Sequence, residues 1–315
     1  MAGDAFLSPH TQIRSFMSSI KIWISAFRLR TLPLSFALVI TGAAVAVQDE
    51  CLNTKVLALE LLTALFLQIL SNLSNDYGDT VHGADNAERK GPKRAVQSGA
   101  ISLAQMRGAM AIFAALSLIS GITLLYASFA AIGVCGLIAL FVIGLLSIVA
   151  AITYTAGKHP YGYIAMGDIS VFLFFGLVGV AGCYYLHAGN VPACVWLMAS
   201  SVGLLSVGVL NMNNIRDMDS DREAGKTTIP ILLGRRGAKT YHFCVMTTAI
   251  ALLVIYLVLW GTKWQFFSLI VIPPLVINAF RTLHEDSHAF FDSQLKLISV
   301  STFILSVLLL IGSAI

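Results

Sequence analysis

The sequence predicts an all-α polytopic membrane protein with nine transmembrane helices. Three observations carry that prediction. The 315-residue chain is 57% hydrophobic and only 11% charged, against about 25% charged for a soluble domain. Apolar runs near the bilayer-crossing length of about 20 residues recur along it. The charge is also divided by side. Of the twenty Lys and Arg, alternating nine spans leaves Lys55 and Lys263 on one side and the other eighteen opposite. That is a strong positive-inside pattern.

The runs fall at 31–48, 56–74, 108–129, 131–154, 166–187, 191–212, 241–260, 264–280 and 295–315. The break near 130 rests on the short stretch SFAAIG, Ser128 to Gly133. The charge asymmetry supports it, because one missed span would scramble the two sides. The pattern places the N-terminus in the cytoplasm and the C-terminus opposite. The net charge of +4 reads as membrane topology, with lipid as the partner and no nucleic acid.

Ahead of the first run, Ile13, Phe16, Met17, Ile20, Ile24 and Phe27 recur at helical spacing, with Arg14, Lys21 and Arg28 between them. This predicts an interfacial amphipathic helix. The first run begins after thirty residues and lacks a processing site, so no cleaved leader is expected. The five cysteines form no C-x-x-C pair and read as small core hydrophobes. The expected organisation is a single domain over 1–315. It has an arm at 1–29 and two related halves, about 31–154 and 166–280.

Two connections on the basic side are long and polar, about 76–107 and 215–240. The first opens NDYGD, Asn75 to Asp79, and the second NNIRD, Asn213 to Asp217. Both read N-[DN]-x-x-D at the end of an even-numbered span and run on into a basic, glycine-containing stretch. This is a degenerate internal repeat, and two similar loops on one face suggest closure over one site.

Helical spacing decides which groups can cooperate. If the helices continue into the loops, Asn72, Asn75, Asp76 and Asp79 share one face, as do Asn213, Asp217 and Asp221. Asp219 then points away. Like charges one turn apart, close to hydrocarbon, need compensation. Oxygen-only donors suit a hard cation such as Mg²⁺, which takes one or two carboxylates and leaves the rest of its shell to water and phosphate. Two such half-sites would hold a diphosphate between them. Arg89, Lys93, Arg94, Lys158, Arg222 and Lys226 are candidates for its remaining charge.

Blander readings stand beside this one. A single acidic loop is usually a solvated surface, but the matched starts argue against that here. An EF-hand fails because Arg222 and Thr228 occupy the turn-glycine and bidentate-glutamate positions. A P-loop fails because Ser220 replaces its first glycine. Asn72 and Asn211 are also candidates for hydrogen bonding between helices. In TYTAGKHPYGYIAMGD, 153–168, Tyr154 and Lys158 lie one turn apart. Lys158 is a candidate phosphate ligand or a simple positive-inside anchor.

These stretches resemble the UbiA-type intramembrane aromatic prenyltransferases, and the resemblance covers nearly the whole chain. RTLPLSF at 30–36 is similar to the family's first-span entry. QILSNLSNDYGDTVHGADN at 68–86 and LNMNNIRDMDSDREAGKTTIPILLG at 210–234 are similar to its two Asp-rich motifs. AAITYTAGKHPYGYIAMGDISVFLFFG at 150–176 resembles the naphthoate branch in particular. The resemblance implies a nine-helix bundle around a central cavity, in a bacterial cytoplasmic membrane. It implies a Mg²⁺-dependent transfer from a polyprenyl diphosphate to 1,4-dihydroxy-2-naphthoate.

Carried over by motif, the metal ligands are Asp76, Asp79, Asp217 and Asp221, and these with Lys158 are the catalytic residues. The motifs add Asn75, Asn213, Tyr154 and Lys158 on the diphosphate, and with Asn72, Arg89, Arg94, Arg222 and Lys226 from the charge and spacing above these make the expected diphosphate set. Gly83 stands where the wider family carries a further Asp, with Asp85 two residues on. His159 stands where many relatives have Arg. Phe172, Phe174 and Phe175 are expected in helix packing more than along the isoprenoid path.

Three rivals remain. Another acceptor within the same superfamily is open to the residues themselves. A CDP-alcohol phosphotransferase would need a D-G-x-x-A-R element that the chain lacks. A transporter would place its acids near mid-membrane, where Glu60 stands inside an apolar run.

Overall fold

The computed structural model describes residues 20–84 and 94–315. Among them the secondary structure is helical, with one isolated β-bridge between Ile164 and Thr227. The spans are α1 (Leu32–Gln48) and α2 (Thr54–Val81), then α3 (103–132) and α4 (134–153) within the continuous stretch Leu103–Thr153. They continue with α5 (Gly167–Ala188) and α6 (Ala193–Arg216). The short α7 (Met218–Glu223) leads into α8 (Ile229–Trp260), α9 (Gln265–Thr282) and α10 (His288–Ala314). Leaving out α7, nine of these helices among the described residues match the expected spans. The chain is a multi-pass membrane protein.

The weakest predicted boundary is real and has a local cause. A straight helix over Leu103–Thr153 would be about 77 Å long at 1.5 Å per residue, far beyond a hydrocarbon core of about 30 Å. Gly133 breaks it with φ 62° and ψ −173°, a conformation open essentially to glycine alone. The stretch therefore folds into two antiparallel-capable spans instead of one rod.

Several helices outrun the apolar windows that predicted them. α2 continues past 74 to Val81, α8 runs back from its apolar window to a kink at Gly234 (φ 70°, ψ 165°) with a short turn of helix from Ile229 ahead of it, and α10 begins at His288 instead of 295. Hydropathy registers the lipid-facing part of a helix, whereas capping sets its ends. Asn53 caps α2 by accepting from the amides of Lys55 and Val56 at 3.0 and 3.3 Å. Ser102 and Gln105 form a capping box on α3, and Ser287 caps α10. The extension of α2 places the whole first acidic motif on a helix.

The amphipathic arm is seen in part. Residues 20–27 are helical, with Ile20 and Ile24 exposed and Ala26 buried. Arg28 ends this segment in the left-handed region (φ 49°). Ile13, Phe16 and Met17 lie outside the described residues, as do Asp85, Arg89 and Lys93.

Two large apolar clusters hold the bundle. One joins α1, α5, α6, α8, α9 and α10, and the other joins α2, α3, α4 and the 20–27 segment. α1 to α6 and α10 together line a cavity of about 790 Å³. Phe174 and Phe175 face it, while Phe172 packs against Gly203 of α6.

Candidate active site

The cavity has an apolar length and an acidic mouth. α2 lines it from Glu60 to Asp79, a run of about 28 Å at 1.5 Å per residue. At the mouth stand Asn75, Asp79, Arg94, Tyr154, Asn213, Arg216, Asp217, Asp221 and Lys226. The two acidic motifs, distant in sequence, thus meet over one opening.

Each of the three mouth carboxylates is buried and faces its own cation. Asp79 Oδ2 accepts from Arg94 Nη1 at 2.6 Å. Arg216 donates to Asp217 through Nε (2.8 Å) and Nη2 (2.6 Å). Lys226 Nζ donates to Asp221 Oδ1 at 3.4 Å. Buried carboxylates need such partners, because an unpaired charge there loses its hydration without return. Asp221 Oδ2 remains buried and accepts no hydrogen bond among the described residues. Burial raises the Asp221 carboxyl above its ordinary value; Lys226 lowers it, while Asp217 and Asp79 push it up. Burial opposes the charge on Lys226, yet Asp79 and Asp221 outweigh it and hold the ammonium above the ordinary lysine value.

Backbone geometry brings the loops together. After Pro160 the chain makes a single turn, Tyr161–Tyr163. Thr227 N then donates to Tyr163 O, and Ala165 N to Thr227 O, both at 2.9 Å. This parallel bridge pins the residue after Lys226 to the loop between α4 and α5. Gly78 lets α2 touch the same loop, since a Cβ there would collide with the Thr155 carbonyl. Thr155 Oγ1 also donates to Ser74 O at 2.9 Å and Asn75 Oδ1 at 3.1 Å.

The structure does not bring every expected residue to the mouth. Asp76 is buried but turned toward the 94–96 segment, where its two oxygens accept the amides of Ala95 (3.1 Å) and Val96 (3.3 Å). At 100° per residue it lies about 60° around α2 from Asp79, enough to leave the cavity wall. Lys158 is exposed and absent from the wall, because Gly157 (φ 106°) ends the helical path that would align it with Tyr154. Arg222 is likewise exposed on α7. Arg89 lies outside the described residues. Asn72 reaches the wall, yet its amide donates to Phe27 O and Thr31 Oγ1, both at 2.9 Å, tying α2 to the arm. Asn211 is buried and makes no side-chain hydrogen bond among the described residues. Asp219 points away as expected, to Arg235 at 3.2 Å.

Other groups escaped the sequence reading. Arg216 is not among the candidate cations of the sequence, yet besides Asp217 it holds Asn213 Oδ1 (2.8 Å) and Asp292 Oδ1 (3.0 Å). Asp292 has Lys296 one turn further on, the one signal that an acid in the last span is paired. Tyr163 donates its hydroxyl to Asp79 Oδ1 at 2.9 Å. Burial, then the Asp79 charge, holds this phenol above its ordinary value, so it remains a donor.

The donor set fits a hard cation bound with an anionic ligand. It is all oxygen, and it includes an orphaned buried carboxylate oxygen at Asp221. Among the described residues no three metal-binding groups converge on one point. A Mg²⁺ here would thus take one or two carboxylates and complete its shell from phosphate and water.

Fold and mouth together define a helical membrane protein whose lipid-depth cavity ends in an acid–base rim suited to a diphosphate. Comparison with known families sharpens that class. Residues 35–297 match the UbiA prenyltransferase family, and the chain belongs to that family. It is 41% identical over 270 residues to the 1,4-dihydroxy-2-naphthoate octaprenyltransferase of Escherichia coli K12, covering 85% of this chain and 87% of that one. It is 34% identical to the protein of the same name from Mycobacterium tuberculosis, covering 82% and 84%. Among solved structures, a UbiA homologue from Aeropyrum pernix K1 superposes with a TM-score of 0.63 at 18% identity, covering 89% of this chain and 96% of that one. A UbiA homologue from Archaeoglobus fulgidus, solved with GPP and Mg²⁺, gives 0.59 at 16% identity, covering 90% and 99%. These two likenesses are ones of fold.

Proposed function

We propose that the protein transfers a polyprenyl group from a polyprenyl diphosphate to 1,4-dihydroxy-2-naphthoate, releasing pyrophosphate and carbon dioxide and giving a demethylmenaquinol. The observation that carries this reading is the rim: three buried carboxylates, each against its own cation, at the mouth of an apolar cavity. The names of the curated relatives support the acceptor and a long prenyl chain.

Asp79, Asp217 and Asp221 would hold Mg²⁺, which when bound supplies Lewis-acid neutralisation of the diphosphate. Arg94 and Lys226 would turn from their carboxylates to phosphate oxygens and stabilise the departing pyrophosphate. Asn75, Asn213 and Tyr154 stand on the same wall to orient it. The allylic C–O bond breaks and its electron pair leaves with pyrophosphate. The ring carbon that bears the carboxylate then supplies the pair for the new C–C bond. The bond to the ring carboxylate breaks, and its electrons restore the aromatic ring as carbon dioxide departs. The apolar cavity behind the rim would take the tail and keep water from the cation.

The site opens to the cytoplasm of a bacterial cell, with the N-terminus on the same side. The eighteen-to-two split of basic residues supports that orientation.

Membranes containing the protein test the reading. They are supplied with 1,4-dihydroxy-2-naphthoate and octaprenyl diphosphate, with Mg²⁺ or with EDTA, and products are read by mass spectrometry. A prenylated, decarboxylated product that needs Mg²⁺ and disappears in Asp217→Ala is expected. Turnover of 4-hydroxybenzoate instead would overturn the acceptor, and no product with any aromatic acceptor would overturn the reaction.

A further inference from the structure

Tyr163 touches both halves of the rim at once. Its hydroxyl donates to Asp79 Oδ1 of the first motif at 2.9 Å. Its ring lies under Lys226 Nζ of the second motif, 5.5 Å from the centroid. Its carbonyl accepts from Thr227 N at 2.9 Å, so its main chain is pinned to the residue that follows Lys226. The side chain is buried, and the His82 ring of the α2 terminus packs against it at 5.4 Å.

Each contact constrains a different degree of freedom. Arg94 holds Asp79 Oδ2, so the hydroxyl of Tyr163 on Oδ1 fixes the plane of the carboxylate. The ring face limits where a four-carbon ammonium arm can rest, through cation–π attraction. The backbone bridge sets the distance between them. A carboxylate at the end of a helix and an ammonium on a distant loop would otherwise sample many separations, and each would have to be ordered when a ligand binds.

We propose that Tyr163 is a positioning residue that holds Asp79 of the first acidic motif in register with Lys226 of the second, so that one metal–diphosphate ligand meets both halves together. This rests on the metal–diphosphate reading above. Groups that orient metal-binding carboxylates typically change metal affinity 10- to 100-fold when removed.

Tyr163→Phe isolates the hydroxyl, because ring and backbone bridge are kept. Tyr163→Leu removes the ring face as well. The purified full chain in detergent is titrated with Mn²⁺ in the presence of pyrophosphate, and bound Mn²⁺ is read by electron paramagnetic resonance. Melting temperature is recorded alongside. The expected result is a 10- to 100-fold weaker Mn²⁺ affinity for Tyr163→Phe at a near-native melting temperature, and a larger loss for Tyr163→Leu. In turnover, the KM for the prenyl diphosphate rises in Tyr163→Phe. Wild-type-like Mn²⁺ affinity in Tyr163→Phe would overturn this role and leave the diphosphate reading standing. Failure of the wild type itself to bind Mn²⁺ with pyrophosphate would overturn that reading, and this role with it.

Discussion

Arg216 and Asp217 are sequence neighbours that form a two-pronged ion pair, with Nε to Oδ1 at 2.8 Å and Nη2 to Oδ2 at 2.6 Å. Adjacent residues on a regular helix do not face each other. The pair exists because α6 ends at Arg216 and Asp217 leaves helical geometry (φ −96°, ψ 10°). Both side chains are more than nine-tenths buried, so each depends on the other. Arg216→Ala strands a buried carboxylate and is expected to destabilise the protein by about 3–5 kcal/mol. Thermal unfolding in detergent reads this, and a melting temperature unchanged from wild type would count against it.

Two lysines of the basic loops should behave in opposite ways. Lys226 is buried on Asp221 and lines the cavity, whereas Lys158 is exposed. Lys226→Ala should lower kcat/KM for the prenyl diphosphate by roughly 100-fold or more, as loss of a preorganised charge partner does. Lys158→Ala and Arg222→Ala should stay within about twofold of wild type, in line with surface substitutions. The reverse order, with Lys158→Ala the crippled variant, would return the site to the lysine four residues after Tyr154.

Gly78 allows α2 to lie against the loop that carries Tyr154 and Tyr163. Gly78→Ala drives a methyl into the Thr155 carbonyl, and backbone must move to admit it. Overpacking of this kind costs about 1–3 kcal/mol. The expected outcome is a lower melting temperature together with weaker Mn²⁺ binding, because Asp79 moves with α2 relative to Tyr163. Wild-type values of both would show the contact to be slack.

With Asp79, Asp217 and Asp221 already paired with Arg94, Arg216 and Lys226, either half of the ligand alone must compete with ion pairs for little return. Mg²⁺ alone and pyrophosphate alone should each raise the melting temperature slightly. Both together should stabilise by about 2.7 kcal/mol when the complex is present at a hundred times its Kd. Equal stabilisation by Mg²⁺ alone would mean that the carboxylates are free to bind it unaided.

Much of the bundle is legible in the sequence alone. The nine spans follow from local apolar runs, and even the turn at Gly133 shows as a thin polar gap within SFAAIG. Residues brought to the rim by their own helix also show in the spacing, such as Asn75 with Asp79 on α2. The reading falters where spacing continues past the helix that justified it. Lys158 is one turn from Tyr154 in sequence, but Gly157 breaks the turn. Asp76 shares a loose stripe with Asp79, yet sits far enough around α2 to serve the 94–96 backbone instead.

The membrane class, the number of spans and the meeting of two acidic motifs on one side were determined by the sequence itself. Each depends on composition and on periods that a short window contains. Which cation neutralises which carboxylate was decided by the tertiary structure alone. Lys and Arg arms are long and flexible, and the span alternation puts eighteen of them on the same side, so proximity in sequence says little about pairing. The parallel bridge at Thr227 carries Lys226 inward, and the break at Asp217 folds Arg216 back on its neighbour. Tyr163 joins the two halves because a loop between α4 and α5 is pinned to a loop more than sixty residues further along the chain, a contact that no local pattern encodes.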